Sequence, residues 1–172
     1  MDSSLGGDPQ LQAKARQAAL RFLSYRNRSQ AEVRRKLAER YPSEVVEQVI
    51  ARLIEQRYLD DLAFAIEWRR QRERRRPRGR SALQRELQGL GVEREVIQGA
   101  LEGIEEAENA YRAADAISRR LAGNDYALFR QKVWAFLQRR GFDNSAIRST
   151  VDRYWSELAD SLDCGVDAEA KD

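Results

Sequence analysis

Eight guanidinium groups fall within twelve residues of this chain, at Arg69, Arg70, Arg72, Arg74, Arg75, Arg76, Arg78 and Arg80, with Arg85 close behind. Glu73 is the one acid inside that stretch. So dense a cluster repels itself and needs anionic neighbours or full solvation. Arginine is also the side chain best suited to gripping a phosphate or carboxylate through two parallel hydrogen bonds. The chemistry on offer is anion capture. Contact with nucleic acid or with an acidic protein surface is one reading; a solvated helix face and loop is the plainer one. Stacking on single-stranded bases would need aromatic rings interleaved with the arginines, and none lies between Arg69 and Arg80. Contact through this stretch should therefore be with backbone charge.

Bond-making chemistry is poorly supplied. The chain has no histidine, which removes the commonest general base and metal ligand. Cys164 sits in an acidic tail, without the basic partner that would lower its pKa. Asp60 and Asp61 are adjacent at the start of a helical pattern; neighbours on a helix do not converge on one ion, so capping is their expected role. The glycines fall at turns rather than in a phosphate-cradling loop. The expectation is a chain with no catalytic residue, no metal site and no cofactor.

What positions the arginines is a repeat. Val33/Leu37, Leu83/Leu87 and Val133/Leu137 are apolar pairs at i, i+4, set 50 residues apart. Each leads through a short turn into a second ladder: Val46/Ile50/Leu53, Ile97/Leu101/Ile104 and Ile147/Val151/Tyr154. The 4-then-3 step keeps one stripe on a helix, and the period marks supersecondary units that bury their apolar faces against one another. Asp8-Pro9 reads as a cap and first helical residue, and Ser29 with Glu32 has capping-box spacing, repeated at Ser81–Gln84. Gly91-Val92 and Gly141-Phe142 read as left-handed turns after the second helices of repeats two and three, where repeat one has Arg40-Tyr41. Pro42, Pro77 and Gly123-Asn124-Asp125 break further elements. No segment reads as a strand. The expected fold is all-α, an elongated array of three tandem three-helix repeats with nine helices and no sheet.

The expected divisions are a disordered N-terminus over 1–9, repeats over 10–58, 59–104 and 105–158, and an acidic disordered tail over 159–172. Charge is uneven along them. Nine arginines face three acids between Phe64 and Leu87, while six acids face Lys171 alone after Ser156, although the net charge is only +3. The charged fraction of 34% is high and the apolar fraction of 42% modest, which suits a thin helical array with a large surface. Residues 1–8 resemble no signal peptide, and no apolar run approaches the ~20 residues that cross a bilayer, so a cytoplasmic protein without membrane contact is expected.

Trihelical units invite comparison with helix-turn-helix DNA readers, whose last helix enters the major groove and should be basic. Here the third helices, over Ser43–Arg57, Val92–Glu108 and Asp143–Leu158, carry twelve acids against five arginines. Groove reading is not expected. The second helices or their ends hold more positive charge, at Arg34, Arg35, Lys36, Lys132, Arg139 and Arg140. Phe22, Phe64, Trp68, Trp134, Phe142 and Tyr154 sit on apolar stripes or turns and should pack, whereas Trp155 lies one step off its stripe.

Four segments together resemble the RecX family of bacterial regulators of the RecA recombinase. Ala19-Leu20-Arg21-Phe22-Leu23 with Glu32-Val33-Arg34-Arg35-Lys36-Leu37 is similar to its opening. Tyr58-Leu59-Asp60-Asp61 with Phe64-Ala65, then Ala82–Leu87 with Gly91-Val92, then Leu137-Gln138-Arg139-Arg140-Gly141-Phe142 are similar to its later signatures, so the match spans about 15 to 158. One departure is the loop: the family's basic-Gly-Pro reads Arg78-Gly79-Arg80 here, with proline at Pro77. The resemblance implies a monomer that binds in the groove of the RecA–DNA filament and inhibits its growth, ATP hydrolysis and strand exchange, a role in homologous recombination, DNA repair and the SOS response. Its partners would be the RecA filament and single- or double-stranded DNA through phosphate contacts. The alternative is a sequence-independent nucleic-acid-binding protein acting directly through the arginine stretch; a generic helical scaffold would explain the repeats but leave the arginines without a purpose.

Overall fold

The computed structural model describes residues 8–166, with side chains through Asp160. Nine α-helices and no strand occur among the described residues: α1 Pro9–Leu23, α2 Gln30–Ala38, α3 Ser43–Glu55, α4 Asp61–Arg75, α5 Arg80–Gly89, α6 Arg94–Ala100, α7 Glu106–Leu121, α8 Tyr126–Arg139 and α9 Asn144–Val166. They form three tandem triplets, as the period requires. The sequence reading of 1–7, of 167–172 and of the Cys164 side chain falls outside the described residues. α9 runs on past Leu158 to Val166, into the segment read from sequence as tail.

The chain divides into two compact units, Met1–Trp68 with Glu86–Glu102 and Arg69–Arg85 with Gly103–Asp172. In the first unit Ala15 and Ala19 of α1, Val33 and Leu37 of α2, and Val45, Val46, Val49, Ile50 and Leu53 of α3 make one buried cluster with Leu59. The small residues on α1 let the three helices approach closely, and the β-branched residues of α3 fill the space between. In the second unit Ala110 and Ala114 of α7 play the part of Ala15 and Ala19, against Phe129, Val133 and Leu137 of α8 and Ala146, Ile147, Val151 and Tyr154 of α9. Trp155, one step off the stripe, packs edge-on against Tyr126 with ring centroids 5.1 Å apart and lies 5.4 Å from Phe129.

Local chemistry sets most helix ends. The Asp8 carboxylate accepts from Gln10 N–H with Pro9 at the first helical position. Ser29 and Glu32 form a complete capping box, each accepting the other's backbone N–H. Asp60 Oδ1 accepts from Ala63 N–H at 2.9 Å and Asp125 Oδ1 from Leu128 N–H at 2.9 Å, so one of the Asp60-Asp61 pair is a helix cap, as its position suggested. After α5 and α8 the chain turns through Gly91 (φ +78°) and Gly141 (φ +81°), and the next N–H reaches back to the Leu87 and Leu137 carbonyls. Repeat one makes a different turn: Arg40 and Tyr41 N–H both bond to Leu37 O, with no left-handed residue between them.

Two local expectations need correction. Ser81 does not cap α5. The helix starts one residue earlier, Gly79 O accepts from Ala82 and Leu83 N–H, and Ser81 Oγ donates instead to Gly141 O at 2.7 Å. The third ladder position of repeat two, Ile104, is not helical: α6 ends at Ala100, after Gly99, and Gly103 takes φ +68° in the turn that follows. Glycines at both places weaken the helix that the apolar spacing alone would extend.

Two joints built to one plan link successive repeats. In the first unit Ser29 Oγ donates to Leu90 O at 2.5 Å and Gln30 N–H donates to Asp61 Oδ1 at 2.8 Å. In the second, Gly79 N–H donates to Arg140 O at 3.0 Å and Arg80 N–H to Glu106 Oε1 at 3.0 Å. The partners at 29 and 79, 30 and 80, and 90 and 140 are each one period apart. Ser29, fully buried, serves cap and joint at once. Ser29→Ala should cost about 1–2 kcal/mol, at the upper end for a lost cap because the Leu90 carbonyl also loses its donor. Urea denaturation checks this, and a midpoint equal to the wild type's would contradict it.

Candidate functional site

The nine arginines singled out from sequence all lie between Arg69 and Arg85, within the second unit. Arg69, Arg70, Arg72, Arg74 and Arg75 are on the C-terminal half of α4, Arg76 follows that helix, Arg78 is in the loop, and Arg80 and Arg85 are on α5. At 100° per residue they encircle α4 instead of forming a stripe. The structure therefore sorts them. Arg69, Arg72 and Arg78 are half-buried, whereas Arg70, Arg74, Arg75, Arg76, Arg80 and Arg85 are exposed. Arg69 Nε lies 3.6 Å from Glu73 Oε1, an i, i+4 pair with both side chains about one-fifth exposed. Arg85 Nε donates to Ser81 O at 3.3 Å. Among the described residues Arg70, Arg75 and Arg76 make no ion pair. Positive charge in the last turn of α4 also suits the partial negative charge of a helix C-terminus.

A tenth guanidinium joins them. Arg140, at the end of α8, lies with its Cζ 4.4 Å from the Phe136 ring centroid and donates to Pro77 O at 3.4 Å. Burial first, then the nearby charges of Arg78 and Arg76, hold its pKa below the ordinary arginine value. The loop Arg76–Gly79 and the turn Arg140–Gly141 thus bring three guanidiniums together, and an anion between them would relieve their mutual repulsion. Sequence reading placed Arg140 among the charges at second-helix ends but did not connect it with the stretch. The 50-residue period was the available signal, since it pairs position 140 with position 90 in the other joint.

The carboxylates at the joints are the counterpart. Glu106 Oε1 accepts from Arg80 N–H at 3.0 Å and Asp143 N–H at 3.3 Å. Burial is the largest influence on Glu106 and, with the Asp143 charge beside it, holds the pKa above the ordinary carboxylate value despite those bonds. Asp61 is alike: burial, then Asp60 and Glu93, outweigh the Gln30 N–H and Arg34 and hold its pKa up. A carboxyl whose folded pKa is raised binds its proton more tightly folded than unfolded, so its charge opposes folding at neutral pH and stops doing so as pH falls toward the unfolded value. Glu106→Gln keeps an acceptor and removes the charge. It should match or exceed wild-type stability at pH 7, with the margin closing as pH falls toward 4.5, while Glu106→Ala leaves two N–H groups without an acceptor and loses about 1 kcal/mol. Urea midpoints across that pH range test both, and a glutamine variant weaker than alanine would contradict the assignment.

Opposite charges tie the third helices α3 and α9 to other helices of their own repeats. Arg34 of α2 grips Glu47 of α3 through two bonds, 2.7 and 3.1 Å, and Arg153 of α9 pairs with Glu108 and Glu157 while its Cζ lies 3.6 Å from the Tyr111 ring centroid. Glu47 and Glu157 of the third helices, and Glu108 of α7, are thereby occupied within the fold. No group of metal-ligating side chains occurs among the described residues, and no helix among them is long and apolar enough to cross a membrane.

Fold and site define a class: an all-α protein of tandem three-helix repeats with an arginine cluster on its middle repeat. Family models described as the first, second and third three-helix domains of RecX match residues 15–53, 60–101 and 104–151. The regulatory protein RecX of Chlorobium limicola is 35% identical over 136 residues, covering 78% of this chain and 86% of that one. That of Mycobacterium ulcerans is 34% identical over 149 residues, covering 84% and 86%. The chain belongs to the RecX family. Its fold matches the crystal structure of RecX from Lactobacillus salivarius at a TM-score of 0.77 and 23% identity, over 87% of this chain and 97% of that one. A second crystal structure, of regulatory protein RecX, matches at 0.73 and 29% identity over 83% and 72%.

Proposed function

We propose that this chain regulates the RecA recombinase by seating in the groove of the RecA–DNA filament and inhibiting its growth, so that ATP hydrolysis and strand exchange fall. Membership of a family of regulatory proteins named RecX supports the regulatory part. The observation that carries the contact is the sorting of the arginines: Arg70, Arg75 and Arg76 project into solvent without ion-pair partners among the described residues. Their role is to meet DNA phosphate or acidic protein surface in the groove, as bidentate donors that a lysine would not replace. Arg69, Arg72, Arg74, Arg78, Arg80 and Arg85 hold the surrounding field positive. The protein acts as a binding module without catalysis of its own.

A second reading, direct nucleic-acid binding with no protein partner, is favoured by the convergence of Arg76, Arg78 and Arg140 on one loop. The twelve acids over Ser43–Arg57, Val92–Glu108 and Asp143–Leu158, which lie on the third helices, beside them or at the start of α7, speak against it, because a protein that only bound DNA would gain nothing from them. The deciding experiment titrates the protein into RecA hydrolysing ATP on single-stranded DNA at fixed salt. Inhibition well below one copy per RecA protomer is the expected result. Unaltered hydrolysis together with tight binding to bare DNA would overturn the filament reading and leave the second.

A further inference from the structure

The first unit holds a small cavity of about 140 Å³ at the N-terminal end of α4, the helix whose C-terminal half carries the arginines. Asn27 and Arg28, from the turn between α1 and α2, line it together with Arg57, Tyr58 and Asp60, from the turn between α3 and α4, and Phe64 of α4. Arg57 is the sole non-glycine residue with positive φ among the described residues, at +59°. The turn that ends the third helix of repeat two uses Gly103 at φ +68° for the same left-handed step. A side chain is disfavoured there, and glycine would serve the turn better. Yet the Arg57 guanidinium makes no ion pair or hydrogen bond among the described residues. Its strain stabilises nothing inside the fold, which directs attention to a ligand outside it.

The surroundings indicate what kind. Tyr58 is 54% exposed and Tyr25, two residues before Asn27, is 79% exposed. Arg28 is half-buried, with its guanidinium 4.2 Å over Phe22 and one nitrogen 3.3 Å from Glu32, while its buried Nε has no hydrogen-bond partner. Glu32 is shared by Arg26 and Arg28, whereas Arg57 has no ion-pair partner among the described residues; Asn27 and the Asp60 carboxylate, which caps α4, also line the cavity. Folding brings Arg28 and Arg57 to one cavity with the rings of Tyr58 and Phe64, an association of arginine with aromatic residues that the Arg69–Arg80 stretch lacks. A cavity of this size accepts one six-membered ring, since a void of about 150 Å³ holds benzene.

We propose that this cavity receives a single pyrimidine base of a single-stranded nucleic acid, with Tyr58 as the stacking ring and Arg57 on the adjoining phosphate. Aromatic rings hold unpaired bases through their faces, and an arginine beside them holds the backbone. The site does not depend on the filament reading: it uses other residues, in the other unit, and it discriminates bases where the arginine stretch responds to charge.

The test uses the full chain and two labelled twelve-nucleotide strands, oligothymidine and its abasic counterpart, with binding followed by fluorescence anisotropy. The wild type should bind oligothymidine more tightly than the abasic strand. Tyr58→Leu should weaken oligothymidine binding about tenfold and leave the abasic strand unchanged, since one base–aromatic contact is lost. Arg57→Gly suits the left-handed turn, so its thermal midpoint should equal or exceed the wild type's while its affinity for both strands falls and the salt dependence weakens by about one phosphate contact. Equal wild-type affinity for the two strands would overturn the proposal. So would either variant binding oligothymidine like the wild type, or variants that lose only a protein partner, which would make the cavity a protein contact.

Discussion

Gly79→Ala should be among the most damaging single substitutions in the chain. Gly79 is buried, and a Cβ there would lie well under 3.0 Å from Gly141 O, Gly141 C and Phe142 N, all backbone atoms. Backbone cannot step aside as a flexible side chain can. The joint would have to open, with loss of the bonds from Gly79 N–H to Arg140 O and from Ser81 Oγ to Gly141 O. Overpacking together with two lost hydrogen bonds amounts to about 3 kcal/mol or more, or a fall in melting temperature of roughly 6–12 °C for a chain of this size. The same methyl at Gly89, where an added Cβ meets nothing within 4 Å, should be nearly silent or slightly stabilising in that α5 position. A melting temperature for Gly79→Ala within a degree of wild type would mean that the joint is not packed as described.

Replacing Arg70, Arg75 and Arg76 together by glutamine should have the largest effect on binding. All three are exposed and unpaired among the described residues, so their loss removes charge without leaving a buried partner stranded. If each meets one phosphate, the slope of log affinity against log salt should fall in magnitude by about 2.7, and affinity at low salt by on the order of 100-fold. Between 50 and 200 mM salt the variant would then lose roughly forty-fold less affinity than the wild type. An unchanged circular dichroism melt should accompany the change. Wild-type filament binding by this triple variant would remove the arginine stretch from the contact surface. Because the oligothymidine site lies elsewhere, its preference for bases over abasic backbone should survive these substitutions.

The repeat and its caps were legible because they are written in short spacings. Val33/Leu37, Leu83/Leu87 and Val133/Leu137 are all fully or almost fully buried, and Ser29 with Glu32 forms the box its spacing announces. Ser81 had the same spacing and a different fate, because its hydroxyl was claimed by a carbonyl sixty residues away. No local pattern carries that information. The arginine cluster was visible as charge, but a run of like residues does not say which members the fold covers; only the packing of α4 separates Arg69 and Arg72 from Arg70 and Arg75. The cavity at Arg57 was hidden for a related reason. Its two sides are turns thirty residues apart, and the left-handed φ that marks Arg57 leaves no trace in residue type, since arginine is not a residue that favours it.

The joints also have a direction, since in each one a repeat gives hydrogen bonds to the turn of the repeat that follows it. Each needs a helix start that gives hydrogen bonds and a glycine turn that receives one. Repeat two has both, in Gly79 and Gly91. Repeat one has the giving half at Ser29, but its own turn at Arg40-Tyr41 has no left-handed residue to present a carbonyl. Repeat three has the receiving half at Gly141, while the start of α8 closes on itself through Asp125 and Leu128. The turn of repeat one and the start of α8 in repeat three thus take part in neither joint, and the two joints run in one direction, from repeat one to repeat two and from repeat two to repeat three.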